Sequence, residues 1–156
     1  MLKKVTMAAA GLAIATTAVF AASHAAGPFD GPITARKAHM QLYTHNLGIL
    51  GGMAKGAIDY DSEAASIAAS NLATLSTFNQ TSYWPQGSDS FENENSRALP
   101  DIWQNFPDVG KKGAALVEAA TAMNAAAGVG LAELQAAMGA VGGACGACHK
   151  AYRKPL

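Results

Sequence analysis

The chain has 156 residues, 11 basic and 11 acidic side chains, two cysteines and a formal net charge of zero. That length suits one domain, and the balanced charge lacks the basic excess that nucleic-acid binding requires. Half the residues are hydrophobic and many of these are alanine, which favours closely packed helices.

The first 25 residues read as a cleaved secretion signal. Lys3 and Lys4 form the positive n-region, 7–22 is an apolar h-region, and Ser23-His24-Ala25 puts small residues at −3 and −1. Cleavage after Ala25 is expected, with Ala26 the alternative. A retained anchor is the competing reading, but the apolar run is short for a span and ends in a processing site. Loss of Lys3 and Lys4 leaves nine basic against eleven acidic side chains, a net charge of −2. The mature domain, 26–156, is then a periplasmic protein with no stable membrane insertion.

Pro32 suits the start of a first helix, 32–55. Ile33, Met40, Leu47 and Ala54 recur every seven residues along it, with Arg36, Tyr43, Leu50 and Ala57 between them. Asp61 can cap a second helix, 61–79, whose stripe runs Ala64, Ala68, Asn71 or Leu72, Leu75 and Phe78. The stretch 83–99 has the composition of a loop, long for a bundle and expected to cross one end of the domain. A third helix spans 100–127 with a break near Pro107, after which Asp108 can cap the resumed segment. Its stripe is Val109, Gly113, Leu116, Ala120, Met123 and Ala127. The fourth helix carries Leu131, Leu134, Met138, Val141, Cys145, Cys148 and Tyr152 in steps of three and four. Four such segments predict an all-α fold, an antiparallel up-down-up-down four-helix bundle.

Cys145-Gly146-Ala147-Cys148-His149 is C-x-x-C-H, the attachment signature of c-type haem. On a helix, i, i+3 and i+4 share one side, so two thiols and one imidazole can face one porphyrin. A thioredoxin-like CxxC belongs near a βαβ pattern, and no strand-rich stretch exists here. A structural zinc site takes about four ligands, more than these two cysteines offer. The motif lies on a core stripe, so one covalent haem c, with its iron, is expected in the bundle core. Export agrees with this, because such haem is attached outside the bacterial cytoplasm.

His149 supplies one axial ligand. The candidates for the other are Met40, Met53, Met123, Met138, His39 and His45. Met123 and Met138 are ordinary stripe residues, and methionine commonly fills core gaps. His39 and His45 stand about 100° and about 140° away from Met40 around the helix. Met53 sits one position before the stripe residue Ala54. Met40 is on the core stripe of the helix expected beside helix four, and packing alone would also explain it.

Four segments carry a family resemblance. They are Arg36-x-x-x-Met40; Lys55-Gly56-Ala57-Ile58-Asp59-Tyr60-Asp61; Leu99-Pro100-Asp101-Ile102-Trp103; and Cys145-Gly146-Ala147-Cys148-His149-Lys150-Ala151-Tyr152-Arg153. Through them the mature chain resembles the cytochrome c′ family, the class II cytochromes c, whose haem motif lies near the C-terminus. The family divides at the position matching Met40: high-spin members carry an apolar residue, low-spin members a methionine that ligates iron. The chain is similar to the low-spin branch there, which implies His149 and Met40 as axial ligands. The resemblance also implies that Arg36 lies near a haem propionate, that Arg153 flanks the proximal side, and that a homodimer can form through helices one and two. Both arginines have blander readings, as a solvated helix charge and as helix-end electrostatics. Pro107, the long polar loop and Lys37 after Arg36 depart from the family pattern.

The resulting expectation is an electron carrier with low-spin His/Met haem that exchanges electrons with redox partner proteins. It is not expected to be an enzyme, since no nucleophile–base pair or second metal cluster is visible. The alternative is a high-spin protein binding NO or CO, with Met40 displaced or never bound. A peroxidase-like enzyme would need an open distal site with His39 or His45 turned inward. Replacing Cys145 and Cys148 with alanine should let acid–acetone extract all the haem. Retention in the double variant would defeat the attachment site.

Overall fold

Small side chains let helix backbones approach closely, and Ala65, Ala68, Ala69, Ala119, Ala120 and Ala127 are all buried in one apolar cluster. The computed structural model describes residues 27–155; the expected signal peptide, 1–25, lies outside the described residues. The long helices are α1 (Asp30–Ala54), α2 (Ser62–Ser76), α4 (Phe106–Ala126) and α5 (Leu131–Tyr152), and a single turn, α3 (Asp101–Gln104), precedes α4. α1 packs on α2 and α5, and α4 packs on the same two. Sequence neighbours are therefore spatial neighbours, and the ring closes between α1 and α5. This is the expected up-down-up-down four-helix bundle. No described helix is long and apolar enough to cross a membrane.

Local chemistry sets the helix ends. Gly56, at φ +70°, closes α1: its N–H donates to the Met53 carbonyl (3.0 Å) and that of Ala57 to Gly52 (2.8 Å). This is a Schellman arrangement, which requires a left-handed residue that glycine adopts without penalty. Asp61 caps α2 as expected, its carboxylate accepting from the Ala64 N–H at 2.8 Å. α1 begins two residues before Pro32, and α2 ends at Ser76, so Phe78 lies beyond it and is half exposed. The break in the third long segment falls at Asn105 (φ −137°, ψ 43°). Pro107 sits in the first turn of α4, where its missing N–H has no intrahelical partner to lose. Asp108 makes no cap; its carboxylate is drawn to Tyr152 instead.

The buried seam of α1 is Ile33, Arg36, His39, Tyr43, Asn46, Leu50 and Met53. The expected Met40, Leu47 and Ala54 line its flank and are partly buried. The seam shifts because three polar residues that hydropathy counts as surface are taken inside with partners. Asn46 donates to the Leu42 carbonyl (2.8 Å) and accepts from Asn71 of α2 (3.2 Å). Arg36 and His39 anchor the connection that follows α2.

That connection folds around the Arg36 guanidinium. Nη1 donates to the Tyr83 carbonyl (3.0 Å) and Ser88 Oγ (2.8 Å). Nη2 donates to the Ser88 carbonyl and to Ser96 Oγ (2.8 Å). The guanidinium carbon lies 4.9 Å from the centroid of the Trp84 ring. The segment then joins the chain end: the Leu99 N–H donates to the Tyr152 carbonyl (3.0 Å) and the Lys154 N–H to Arg97 (2.9 Å). Arg36→Met would leave the Tyr83 carbonyl and the Ser88 carbonyl and hydroxyl without their donor, and Ser96 Oγ with the Ala98 N–H alone. A loss of about 3 kcal/mol in urea denaturation is expected, with faster amide exchange from Ser88 to Ser96. An unchanged midpoint would refute this role for Arg36.

Candidate haem site

α5 presents Cys145, Cys148 and His149 near its C-terminal end, all partly buried. Three glycines, Gly142, Gly143 and Gly146, lie in this half of the helix. Each costs about 1 kcal/mol relative to alanine, so tertiary packing must hold the segment. It does so on two sides. Cys145 packs against the main cluster with Tyr43, Met40 and Met138. Cys148 packs against a second cluster, formed by Ala98, Ile102 and Tyr152 with Trp84, Trp103 and Val109. The motif therefore bridges the bundle core and the 84–103 segment.

The electrostatics suit covalent attachment rather than thiolate chemistry. Burial pushes both thiols above the ordinary cysteine value. A redox-active or metal-binding cysteine needs the opposite shift. Among the described residues, no group of three or more His, Cys, Asp or Glu could hold a metal ion. Burial, then the Arg153 and Arg97 charges, lower the His149 pKa. Its imidazole is thus neutral at pH 7, the form that ligates iron. The donor set fits haem c: two neutral thiols for the vinyl groups and a neutral imidazole one residue later.

The candidates for the sixth position are dispersed. Met123 and Met53 are buried in the main cluster. The Met138 methyl carbon lies against Gly51. His45 is exposed. His39, expected away from the core, is 4% exposed: its ring meets Tyr43 edge-on at 4.8 Å, Phe78 at 5.7 Å and Tyr83 at 6.1 Å, and a ring nitrogen lies 3.2 Å from Gln80 Nε2. Burial lowers its pKa. Met40 is partly buried and packs on the cluster that Cys145 joins. Arg36 has four of its five N–H groups engaged by the loop, leaving Nε–H for the propionate contact expected of it. Arg153 is exposed at the end of α5 and pairs with Ala98.

Two neighbours of the motif were not legible as such. Tyr43, whose pKa burial and then the neighbouring Cys145 push up to about 12, belongs to the buried cluster against which Cys145 packs. The Tyr152 hydroxyl donates to Asp108 at 2.7 Å, and Lys112 lies 3.3 Å from the same carboxylate. The second group ties the first turn of α4 to the last turn of α5. An aromatic following C-x-x-C-H by three residues was the available signal for it.

Comparison with known proteins follows the same lines. Residues 31–153 match the family model described as Cytochrome C′. The chain is 43% identical to "Cytochrome c-554" of Cereibacter sphaeroides, covering 94% of this chain and 95% of that one. It superposes on a solved cytochrome c′ from Rhodobacter Spheriodes with a TM-score of 0.81 at 35% identity, over 83% of this chain and all of the other. A cytochrome c′ described for ligand-controlled dimer dissociation gives 0.75 at 25% identity, over 84% and 100%. A ferrous variant of the Alcaligenes xylosoxidans cytochrome c′ with bound NO gives 0.69 at 28%, over 80% and 94%.

The Asp108 clasp has a pH signature. The Tyr152 hydrogen bond, then Lys112, hold the Asp108 carboxyl below its ordinary range. A folded value below the unfolded one, about 3.9, stabilises above that pH and is lost as pH falls through the folded value. Tyr152→Phe should raise the Asp108 midpoint seen by carboxyl NMR and reduce the acid-induced fall in stability below about pH 4. An unmoved midpoint would show that the hydroxyl does not carry the shift.

Proposed function

The chain belongs to the cytochrome c′ family, and from that premise we propose that it is an exported haem c protein that carries single electrons and binds small gases, with Met40 as the ligand a gas must displace. Haem c supplies a one-electron iron couple and, where an axial position is free, a site for a diatomic gas. Cys145 and Cys148 hold the group by thioethers and His149 ligates its iron. Cys148 packs on the same small cluster as Trp84 and Trp103 of the 84–103 segment.

The observation that carries the Met40 assignment is its packing. It is the candidate on α1 that is partly buried, against the same cluster that Cys145 and Met138 join, while Met53 and Met123 are fully buried within that cluster. The relatives lend more to gas binding than to an electron carrier closed at both axial positions, since a solved member carries NO. Gas binding, the second choice from sequence, therefore joins the first in one reading. The relative with ligand-controlled dimer dissociation supports a dimer in this chain as well. Leu42 on α1 and Ile67 on α2, each about half exposed, suit the contact. The expected signal at 1–25 supports export to the periplasm.

Spectra of the oxidised and reduced protein test the proposal. The parent should show a low-spin oxidised spectrum with the weak long-wavelength band of thioether–iron(III), and should bind carbon monoxide slowly when reduced. Met40→Leu should lose the band, turn high-spin, lower the potential and bind carbon monoxide at least about ten-fold faster, about 1.4 kcal/mol in barrier. Met123→Leu should leave the spectra alone and change stability by less than about 1.5 kcal/mol. A parent without the band that binds carbon monoxide at once would retain gas binding and remove Met40 as a ligand.

A further inference from the structure

The two ends of the bundle carry opposite charge. The end holding the turn after α1 and the turn before α5 has Asp59, Asp61, Glu63 and Glu133 against Lys55. The end holding Cys148 and His149 has Arg97, Lys111, Lys112, Lys150, Arg153 and Lys154. Arg97 and Lys154 are joined directly. Arg97 donates through its guanidinium to the Lys154 carbonyl (3.2 Å from Nε), and its own carbonyl accepts from Lys154 N–H at 2.9 Å. Lys150, Arg153 and Lys154 follow His149 in the chain, and Lys112 pairs with Asp108, the carboxylate to which Tyr152 of the last turn of α5 donates at 2.7 Å. Among the described residues, Lys112–Asp108 is the one ion pair, so the other five cations face no carboxylate within 4.0 Å. Lys111, Lys150, Arg153 and Lys154 are exposed. Phe106, the first residue of α4, is 48% exposed at the same end. The acids at this end are Asp30 at the start of α1, Asp89, Glu92 and Glu94 in the loop, and Asp101 and Asp108, the last already engaged; with Arg36 and Lys37 of α1 the end carries eight cations against these six.

We infer that this basic rim around the Cys148–His149 end is the docking surface for an acidic redox protein, which exchanges an electron with the haem there. The inference rests on the electron-carrying part of the proposed function and adds the place and the partner's charge. The mature chain, at −2, should repel an anion as a whole. At about 0.1 M salt, charges beyond about 10 Å are largely screened, so an anion at the rim feels the cations and little of the acidic end. Exposed charges that steer encounter act chiefly on association rate. An exposed aromatic beside a polar rim matches the anatomy of protein interfaces. A protein surface fits better than an anionic membrane, because it alone gives or takes the electron.

The experiment uses the haem-loaded protein and two oxidants of opposite charge. The reduced protein gives one electron to hexacyanoferrate(III), which becomes hexacyanoferrate(II), and no proton is needed for balance. Lowering salt from about 1 M to about 0.1 M should speed this reaction by about three-fold or more and slow oxidation by the cation tris(phenanthroline)cobalt(III). The triple variant Lys111→Glu, Lys150→Glu, Lys154→Glu should reverse both slopes. The corresponding glutamine triple should flatten them, and Lys55→Glu, at the far end, should leave them unchanged. Hexacyanochromate(III), a paramagnetic anion that accepts no electron here, should broaden the amide signals of 97–98, 111–112 and 150–154 in the parent. The opposite salt slope, or broadening elsewhere, overturns the inference while leaving electron carriage intact. Failure to react with either oxidant overturns electron carriage and the docking surface with it. Sedimentation with phosphatidylglycerol vesicles that the triple variant abolishes would assign the rim to a membrane and overturn the protein partner.

Discussion

A guanidinium taken out of water must find acceptors for its N–H groups, and Arg36 finds them in the loop that follows α2. Charge-assisted bonds of this kind are about twice as strong as neutral ones, and here four of them converge on one group. Without Arg36 the stretch from Tyr83 to Ser96 has little regular structure to hold it, one turn of 3₁₀ helix at Thr81–Tyr83 apart. With it, Ser96 is fixed, and the next residues reach the chain end through Ala98, Leu99 and Lys154. The consequence runs from α1, across the loop, to the last turn of α5, where His149 stands. The order of the C-x-x-C-H end of the molecule thus depends on a cation more than a hundred residues earlier in the chain.

The haem motif joins two bodies of apolar packing that would otherwise be separate. Cys145 belongs with the bundle core and Cys148 with the small cluster under Trp84 and Trp103. The Trp103 indole N–H donates to the Trp84 carbonyl at 3.0 Å, so the cover is itself pinned. A helix with three glycines in its last three turns is weak by propensity, and contact on both sides compensates. The small residues also keep the surface of α5 low.

Much of this was readable from residue pattern. The four helices, the Asp61 cap and the α5 stripe from Leu134 to Tyr152 follow from period and end chemistry, whereas Leu131, counted on that stripe, is exposed. The face of α1 did not follow, because Arg36, His39 and Asn46 are buried and no hydropathy pattern counts them inside. Their partners, Ser88, Ser96, Gln80 and Asn71, lie 25 to 60 residues away. The break expected near Pro107 is present, two residues earlier at Asn105, and Pro107 itself stands in the first turn of α4. At the site, spacing alone located the thiols and the imidazole. The separate fates of four methionines needed the packing, since each one fits a helical stripe in sequence.

The amide pair between α1 and α2 has a further consequence. Asn46 is 4% exposed and meets Asn71 across the interface. The α2 side of this interface is rich in alanine, with Ala65, Ala68 and Ala69 buried, and so offers few shape features of its own to fix the alignment. A slide of one turn, about 5.4 Å, would strand a buried carboxamide oxygen without its donor. It would also carry Met40 the same distance along the bundle. One pair of asparagines therefore marks the longitudinal setting of α1 against α2, alongside the large seam side chains Tyr43, Leu50 and Met53.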